Sequence, residues 1–336
     1  MKKAKLRTDS TFTRRDFICA AGSVAACSLF RAPALRAFGP LYPHTDLSYF
    51  DNPITPAPAE LHFGYASITW NGNDRQAIDD IAALGFPGIQ LRANVLAEFD
   101  GKPASLHDLL EAHKLKMVAL SSGNLSVDNP AASEIATHVA HAQFARDAGA
   151  LYLQVIGERP KGRDIVRSDY EKMGRLLTEL GRRTADIGVQ LGFHNHMNSL
   201  GERPEEVDWI FEAVDPHYAK LELDVAHALQ GGGDPVKMLT SYSDRLLFLH
   251  IKDVRPAPPP AAAPASATAA APKNYQFVEL GGGRVDLPAV FKAIEKIKFR
   301  GWAVIELDAV PDASRTPKEC AEISKKYLAE RLGYKI

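Results

Sequence analysis

From Leu61 to the C-terminus the sequence alternates short apolar runs with amphipathic stretches, and this alternation limits the available folds more than any other feature. The runs are His62–Trp70, Gly88–Ala93, Met117–Ser121, Leu151–Ile156, Val189–His194, Ala219–Asp224, Leu246–Ile251 and Trp302–Leu307. Helical patterns separate and follow them at Arg75–Leu84, Ser105–Lys114, Ala131–Ala148, Tyr170–Ile187, Glu205–Val214, Pro235–Tyr242, Leu287–Ile297 and Pro317–Leu332. Strands that alternate with helices predict a parallel sheet, because a crossover helix carries the chain back to the start of the next strand. Eight such units within residues 61–336 predict an α/β fold, a closed (β/α)8 TIM barrel, which takes about 250 residues. Gly85, Gly149, Gly188 and Gly301 close helices, and Asp74 and Ser133 are read as helix starts. No G-x-G-x-x-G follows the first run, which argues against a dinucleotide-binding doubly wound sheet.

The segments outside this pattern read differently. Residues 1–37 carry eight Lys and Arg against Asp9 and Asp16, a net of +6, which leaves about −7 for the rest of a chain whose formal charge is −1. Within them, "TRRDFICAAGSVAACSLFRAPALRAFG" has paired arginines, Phe17 and Ile18 at the edge of an apolar run, and small residues in A-x-A spacing. That predicts a cleaved twin-arginine export signal and a periplasmic protein. Val24 to Cys27 also resembles a lipoprotein cleavage box, which would make Cys27 a lipid anchor. The apolar run is shorter than the roughly 20 residues that span a bilayer, so no transmembrane segment is expected. Residues 38–60 are Pro-rich and read as an N-terminal strap, and 256–272, "PAPPPAAAPASATAAAP", read as a low-complexity loop. Cys19 and Cys27 fall in the signal, so Cys320 alone remains and no internal disulfide is expected.

In a barrel of this kind the chemistry lies at the C-terminal ends of the strands. The fifth run ends in "FHNH", whose alternation aims His194 and His196 the same way. The sixth ends in Glu222 and Asp224, followed by His227. The seventh ends in His250, Lys252 and Asp253, and the eighth in Glu306 and Asp308. For a single tip a solvated loop residue is the simpler reading. Four successive apolar strands with imidazole or carboxylate tips need compensation for buried charge, and a divalent cation supplies it. Mixed imidazole and carboxylate donors suit Mn, Zn, Co or Fe.

The stretches "GFHNH", "LELDVAHALQGGGDP", "FLHIKD", "GGGRVDL" and "GWAVIELD" resemble the sugar phosphate isomerase/epimerase superfamily. This is the xylose isomerase-like barrel group, which includes inosose dehydratases, ketose epimerases and apurinic-site endonucleases. The resemblance runs from the first strand to the last helix and is specific in its second half. It implies one divalent metal, Mn foremost, held by His194 (or His196), Asp224, His250 and Glu306. Many relatives place a glutamate on strand five. Here that strand offers His-Asn-His, which brings the chain nearer the dehydratase-like branch.

The expected function is a metal-dependent sugar or keto-sugar isomerase or epimerase working through an enediolate. A lyase or dehydratase on a keto-sugar, keto-glycoside or keto-inositol is the alternative. Glu306 or His196 would take the proton and Lys252 would steady the enediolate oxygen. Trp70, Gln90, Arg92, Glu158 and His227 are read as substrate contacts, the partner being a neutral sugar or cyclitol. A non-catalytic periplasmic carbohydrate-binding protein is a further alternative, which would need a broken ligand set. A DNA-repair nuclease lacks its basic face and its ligands on strands two and three, so no nucleic acid partner is expected. The sequence leaves oligomerisation open.

Overall fold

The computed structural model describes residues 60–257 and 274–336. The expected export signal with Cys27, and nearly all of the segments read as a Pro-rich strap and a low-complexity loop, lie outside the described residues. Eight parallel strands close into a barrel: β1 (Leu61–Ala66), β2 (Gly88–Arg92), β3 (Lys116–Leu125), β4 (Tyr152–Gly157), β5 (Gln190–His194), β6 (Ala219–Asp224), β7 (Leu246–Ile251) and β10 (Gly301–Ile305). β10 pairs with both β1 and β7, which closes the ring. Between β7 and β10 an antiparallel ribbon, β8 (Asp253–Pro256) and β9 (Tyr275–Val278), stands outside the barrel sheet. Its outer end is joined by the Ala257 amide donating to the Asn274 carbonyl at 3.0 Å. Among the described residues no helix is long and apolar enough to cross a membrane.

The helices that position the site are α1 (Asp74–Ala83), α2 (Val95–Glu98), α3 (Pro103–Ala112), α4 (Ala131–Asp147), α5 (Arg167–Ile187), α6 (Pro204–Glu212), α7 (Val225–Gln230), α8 (Pro235–Ser241), α9 (Leu287–Lys296) and α10 (Pro317–Leu332). α10 starts in a capping box: Thr316 Oγ1 accepts from the Glu319 amide, and Glu319 Oε2 accepts from the Thr316 amide. α5 ends at Gly188, whose φ of 88° needs a residue without a Cβ. Two helix starts differ from expectation. Asn73, not Asp74, caps α1, and α4 begins at Ala131 behind Pro130, with Ser133 already in its first turn.

The barrel interior is layered. Its lower part is apolar: Tyr152 stacks on Phe248 at 5.3 Å, and Trp302 fills the space beside Gly88, where a Cβ would come within 2.3 Å of the indole. Above this plug the inward positions turn polar. A larger apolar cluster fills the space between the strands and the surrounding helices. The first strand is shorter than expected. It stops at Ala66, and Ser67–Trp70 form a single 3-10 turn ended by Asn71 at φ 51°.

Candidate active site

His194 is the last residue of β5 and Glu222 is its cross-strand neighbour on β6. Asp224 ends β6 and is in register with His250 on β7. Glu306 follows β10 directly. Asp224 also caps α7: its Oδ1 accepts from the Ala226 and His227 amides, both at 2.8 Å, which leaves Oδ2 facing the site. Asn195 fixes this corner by exchanging two hydrogen bonds with the Asp224 backbone. The ligands named from the sequence, His194, Asp224, His250 and Glu306, are therefore brought together at the upper end of the barrel, all of them buried.

Charge is concentrated there. Asp224, Glu306 and Asp308 face a single lysine, Lys252, which is fully buried, and Glu222 lies between His194 and His250. Its ammonium donates to Glu306 Oε1 at 2.9 Å and to Asp308 Oδ1, and lies 3.9 Å from Asp224 Oδ2. It also sits 4.0 Å above the Phe277 ring of the ribbon. Burial pulls the Lys252 pKa down, but Asp308, Glu306 and Asp224 together outweigh that and hold it above the ordinary lysine value. Burial alone would raise Glu306, but His250 and Lys252 hold it low. Asp253 is not the partner of Lys252. It accepts four backbone amides, from Val254, Gly281, Gly283 and Val285, and so organises the glycine turn after β9.

The histidines divide by tautomer. His196 Nδ1 faces the Met197 carbonyl at 2.7 Å and must donate there, so its Nε2 is bare in the neutral ring. Burial, then the neighbouring His194 and Lys252, lower its pKa to about 4, which keeps it neutral. His227 Nδ1 faces the Met197 amide at 3.1 Å and its Nε2 faces the Lys252 ammonium at 3.2 Å, so both ring nitrogens are engaged within the protein. His227 is stacked behind His196, at 3.9 Å between ring centroids, and is not on the cavity wall as the sequence reading had it. His250 Nε2 lies 2.7 Å from Gln90 Oε1, and Gln90 Nε2 donates to Gln154 Oε1. Gln90 lines the cavity, yet its amide is committed to orienting His250.

A divalent cation fits this donor set. His194 Nδ1, His250 Nδ1, Asp224 Oδ2 and both Glu222 oxygens are buried and have no aligned hydrogen-bond partner. Three overlapping sets of donor atoms, each within 4.8 Å of one another, share His194: one with His196 and His227, one with Asp224, His227 and Glu306, and one with Glu222 and His250. Against the effect of burial, Glu222 and Glu306 raise the His250 pKa well above its ordinary value, so the four carboxylates draw positive charge into the cluster.

Above the cluster opens a cavity of about 730 Å³, walled by His194, His196, Glu306, Asp308, Gln154 and Arg92 among others. Arg92 is exposed on that wall. Trp70 is not on it: its indole is buried and donates to Asp80 Oδ2 at 2.9 Å, because the 3-10 turn directs it into the core. Glu158 lines a second cavity of about 450 Å³, paired there with Lys161 at 3.2 Å, and this cavity shares Asn124, Ile156 and His196 with the first. Glu222, Gln154 and Asp308 were not assigned roles from the sequence. Glu222 had a signal, since it stands two residues before Asp224 on the same strand face.

The family described as the xylose isomerase-like TIM barrel matches residues 78–330 of this chain. An inosose dehydratase of Lacticaseibacillus casei is 26% identical over 294 residues, which cover 80% of this chain and 96% of the relative. The rhizopine catabolism protein MocC of Rhizobium meliloti is 27% identical over 287 residues, covering 78% and 86%. Among solved structures, that of IolI protein with a bound zinc atom is similar with a TM-score of 0.66 at 18% identity, covering 82% of this chain and 100% of the other.

Proposed function

This chain belongs to the xylose isomerase-like TIM barrel family, and from that premise we propose that it is a divalent-metal-dependent lyase that dehydrates, or eliminates an alkoxy group from, a polyhydroxylated keto ring. One observation carries the reading: a single cavity joins a cation-demanding carboxylate and imidazole cluster to His196, a neutral imidazole with a bare Nε2. The names of the relatives, inosose dehydratase among them, support a keto-cyclitol or keto-sugar as substrate. His194, Asp224, His250 and Glu306 would hold the ion, a first-row divalent metal such as Mn or Zn. When bound, the ion draws electron density from a substrate carbonyl and acidifies the neighbouring C–H.

The chain's own groups do the rest. His196 Nε2 takes the proton beside the carbonyl. The resulting enolate expels the hydroxyl or alkoxy group one carbon further on, and His196 returns the proton to that leaving oxygen. The products are an unsaturated ketone and water or an alcohol, and the base is restored. Lys252, held between Glu306 and Asp308, offsets their charge and steadies the developing oxyanion.

Isomerisation or epimerisation is the second reading. It needs a second base to return the proton elsewhere, and Glu306 is the candidate, although Lys252 already occupies one of its oxygens. The second cavity leaves room for a substituent on the reacting ring and favours a keto-glycoside within the substrate class. The paired arginines and the apolar run of residues 1–37 support export to the periplasm by the twin-arginine route, with Cys27 as an optional lipid anchor.

The test is incubation with a keto-inositol and a keto-glucoside in deuterated buffer. Appearance of the ultraviolet absorption of a conjugated enone supports the lyase. Deuterium entering a saturated product without that absorption moves the assignment to isomerase or epimerase. Absence of both for either ring would overturn the enzyme reading for this substrate class.

A further inference from the structure

The ligand set carried over from the resemblance contains two carboxylates, Asp224 and Glu306. The geometry points to a third: we infer that Glu222 is itself a ligand of the ion, so that this chain supplies from β6 a carboxylate that β5, ending in His194, does not provide. The inference rests on the reading above that the site holds a divalent cation.

Four observations carry it. Glu222 is fully buried, and neither of its oxygens has an aligned hydrogen-bond partner. Its two oxygens reach two different imidazoles, His194 Nδ1 at 3.2 Å and His250 Nδ1 at 3.0 Å. The donor atoms of His194, Glu222 and His250 all lie within 4.8 Å of one another. Donor atoms about 2.0–2.2 Å from a common ion lie at such mutual spacings.

The fourth observation is the surroundings of His250. Its Nε2 faces Gln90 Oε1, which turns Nδ1 toward the carboxylates. Around that nitrogen stand Glu222 Oε1 at 3.0 Å, Glu306 Oε2 at 3.5 Å and Asp224 Oδ2 at 3.7 Å. The three oxygens are acceptors, and acceptors crowded together in a buried site repel unless positive charge lies among them. A proton on Nδ1 answers one of these contacts. A divalent ion held with His194 and His250 answers the Glu222 contact and also accounts for His194 Nδ1 and the second Glu222 oxygen. A merely orienting carboxylate would instead accept aligned N–H bonds from its histidines, as outer-shell partners do.

The experiment uses the full chain and cobalt(II) as a spectroscopic probe, with chelator competition for affinity and circular dichroism for folding. Glu222→Leu keeps the volume and removes the donor. The expected result is one ion per wild-type chain, an affinity loss in Glu222→Leu beyond the about 10- to 100-fold that an outer-shell change produces, and an altered cobalt absorption band. Glu222→Asp, which retains a shorter carboxylate, should fall between the two and decides the matter if the leucine variant does not fold. Wild-type affinity and an unchanged band in whichever variant folds would overturn the ligand role while leaving the metal reading intact. No binding of cobalt, zinc or manganese by the wild-type chain would overturn both.

Discussion

Two histidine clusters lie in this barrel, and they are built on opposite plans. In the first half, Ser122 on β3 sits between His138 and His141 of α4. His138 Nε2 donates to the Asn124 carbonyl at 3.2 Å, so its Nδ1 accepts the Ser122 hydroxyl at 2.6 Å, and that oxygen in turn accepts from His141 Nδ1 at 2.7 Å. Every one of these contacts pairs a donor with an acceptor. In the second half, His194 and His250 are pressed against carboxylates, and their Nδ1 atoms have no aligned partner. The same side chain is structural where its hydrogen bonds close on themselves and points to a ligand where they do not.

The comparison can be broken most forcefully at the second cluster. Asp224→Ala or His250→Ala should remove the bound ion and lower turnover by more than about 1,000-fold while the circular dichroism spectrum stays that of a barrel; metal content by plasma mass spectrometry checks it. Full metal occupancy in either variant would show the cluster to be as self-contained as the first. His196→Ala should keep the ion and lower kcat by about 100- to 10,000-fold, the range of a lost general base, so metal content and activity separate.

Smaller effects sharpen the contrast from the other side. Ser122→Ala should leave metal content and activity unchanged and lower stability by about 1–3 kcal/mol, measured by urea denaturation, because the buried His138 and the half-buried His141 lose their shared partner. The smallest effect is one of pH. Burial, with His141 beside it, holds the His138 pKa below its ordinary 6.5. The unfolded chain therefore takes up a proton there that the folded chain refuses. This contribution is complete above a pH of about 6.5 and is lost as the pH falls below it. Urea midpoints measured above and below that value should fall on the acid side in the wild type and less so in His138→Gln; equal drops would remove His138 from the account.

The same contrast explains what could be read from the sequence. Charged and imidazole tips on apolar strands stand out, so the β5, β6, β7 and β10 ends were legible, as was the barrel itself. Glu222 stands at the end of the sixth strand but is absent from the ligand set that the resemblance implies, although period-two alternation places it on the same face as Asp224, one layer deeper. In the first half the wall includes Gln90 and Arg92, both named from the sequence, and Gln154, a neutral amide within β4 that carries no comparable signal in a linear sequence. Trp70 was misplaced because "SITW" has strong strand propensity. Its true conformation is set by tertiary contacts, with Thr69 Oγ1 donating to the Leu307 carbonyl at 2.5 Å and the indole to Asp80.

The ribbon of β8 and β9 has a consequence for engineering. Its register is fixed by its own pairing, by the four amides gathered on Asp253 and by the bond between Ala257 and Asn274. None of these depends on the number of residues joining those two positions, and lengthening a closed loop adds only about 0.6 kcal/mol per doubling. The join is therefore a natural port for grafting: a reporter peptide or a small domain with adjacent termini can be spliced there, one ribbon away from Lys252, without asking the barrel to change shape.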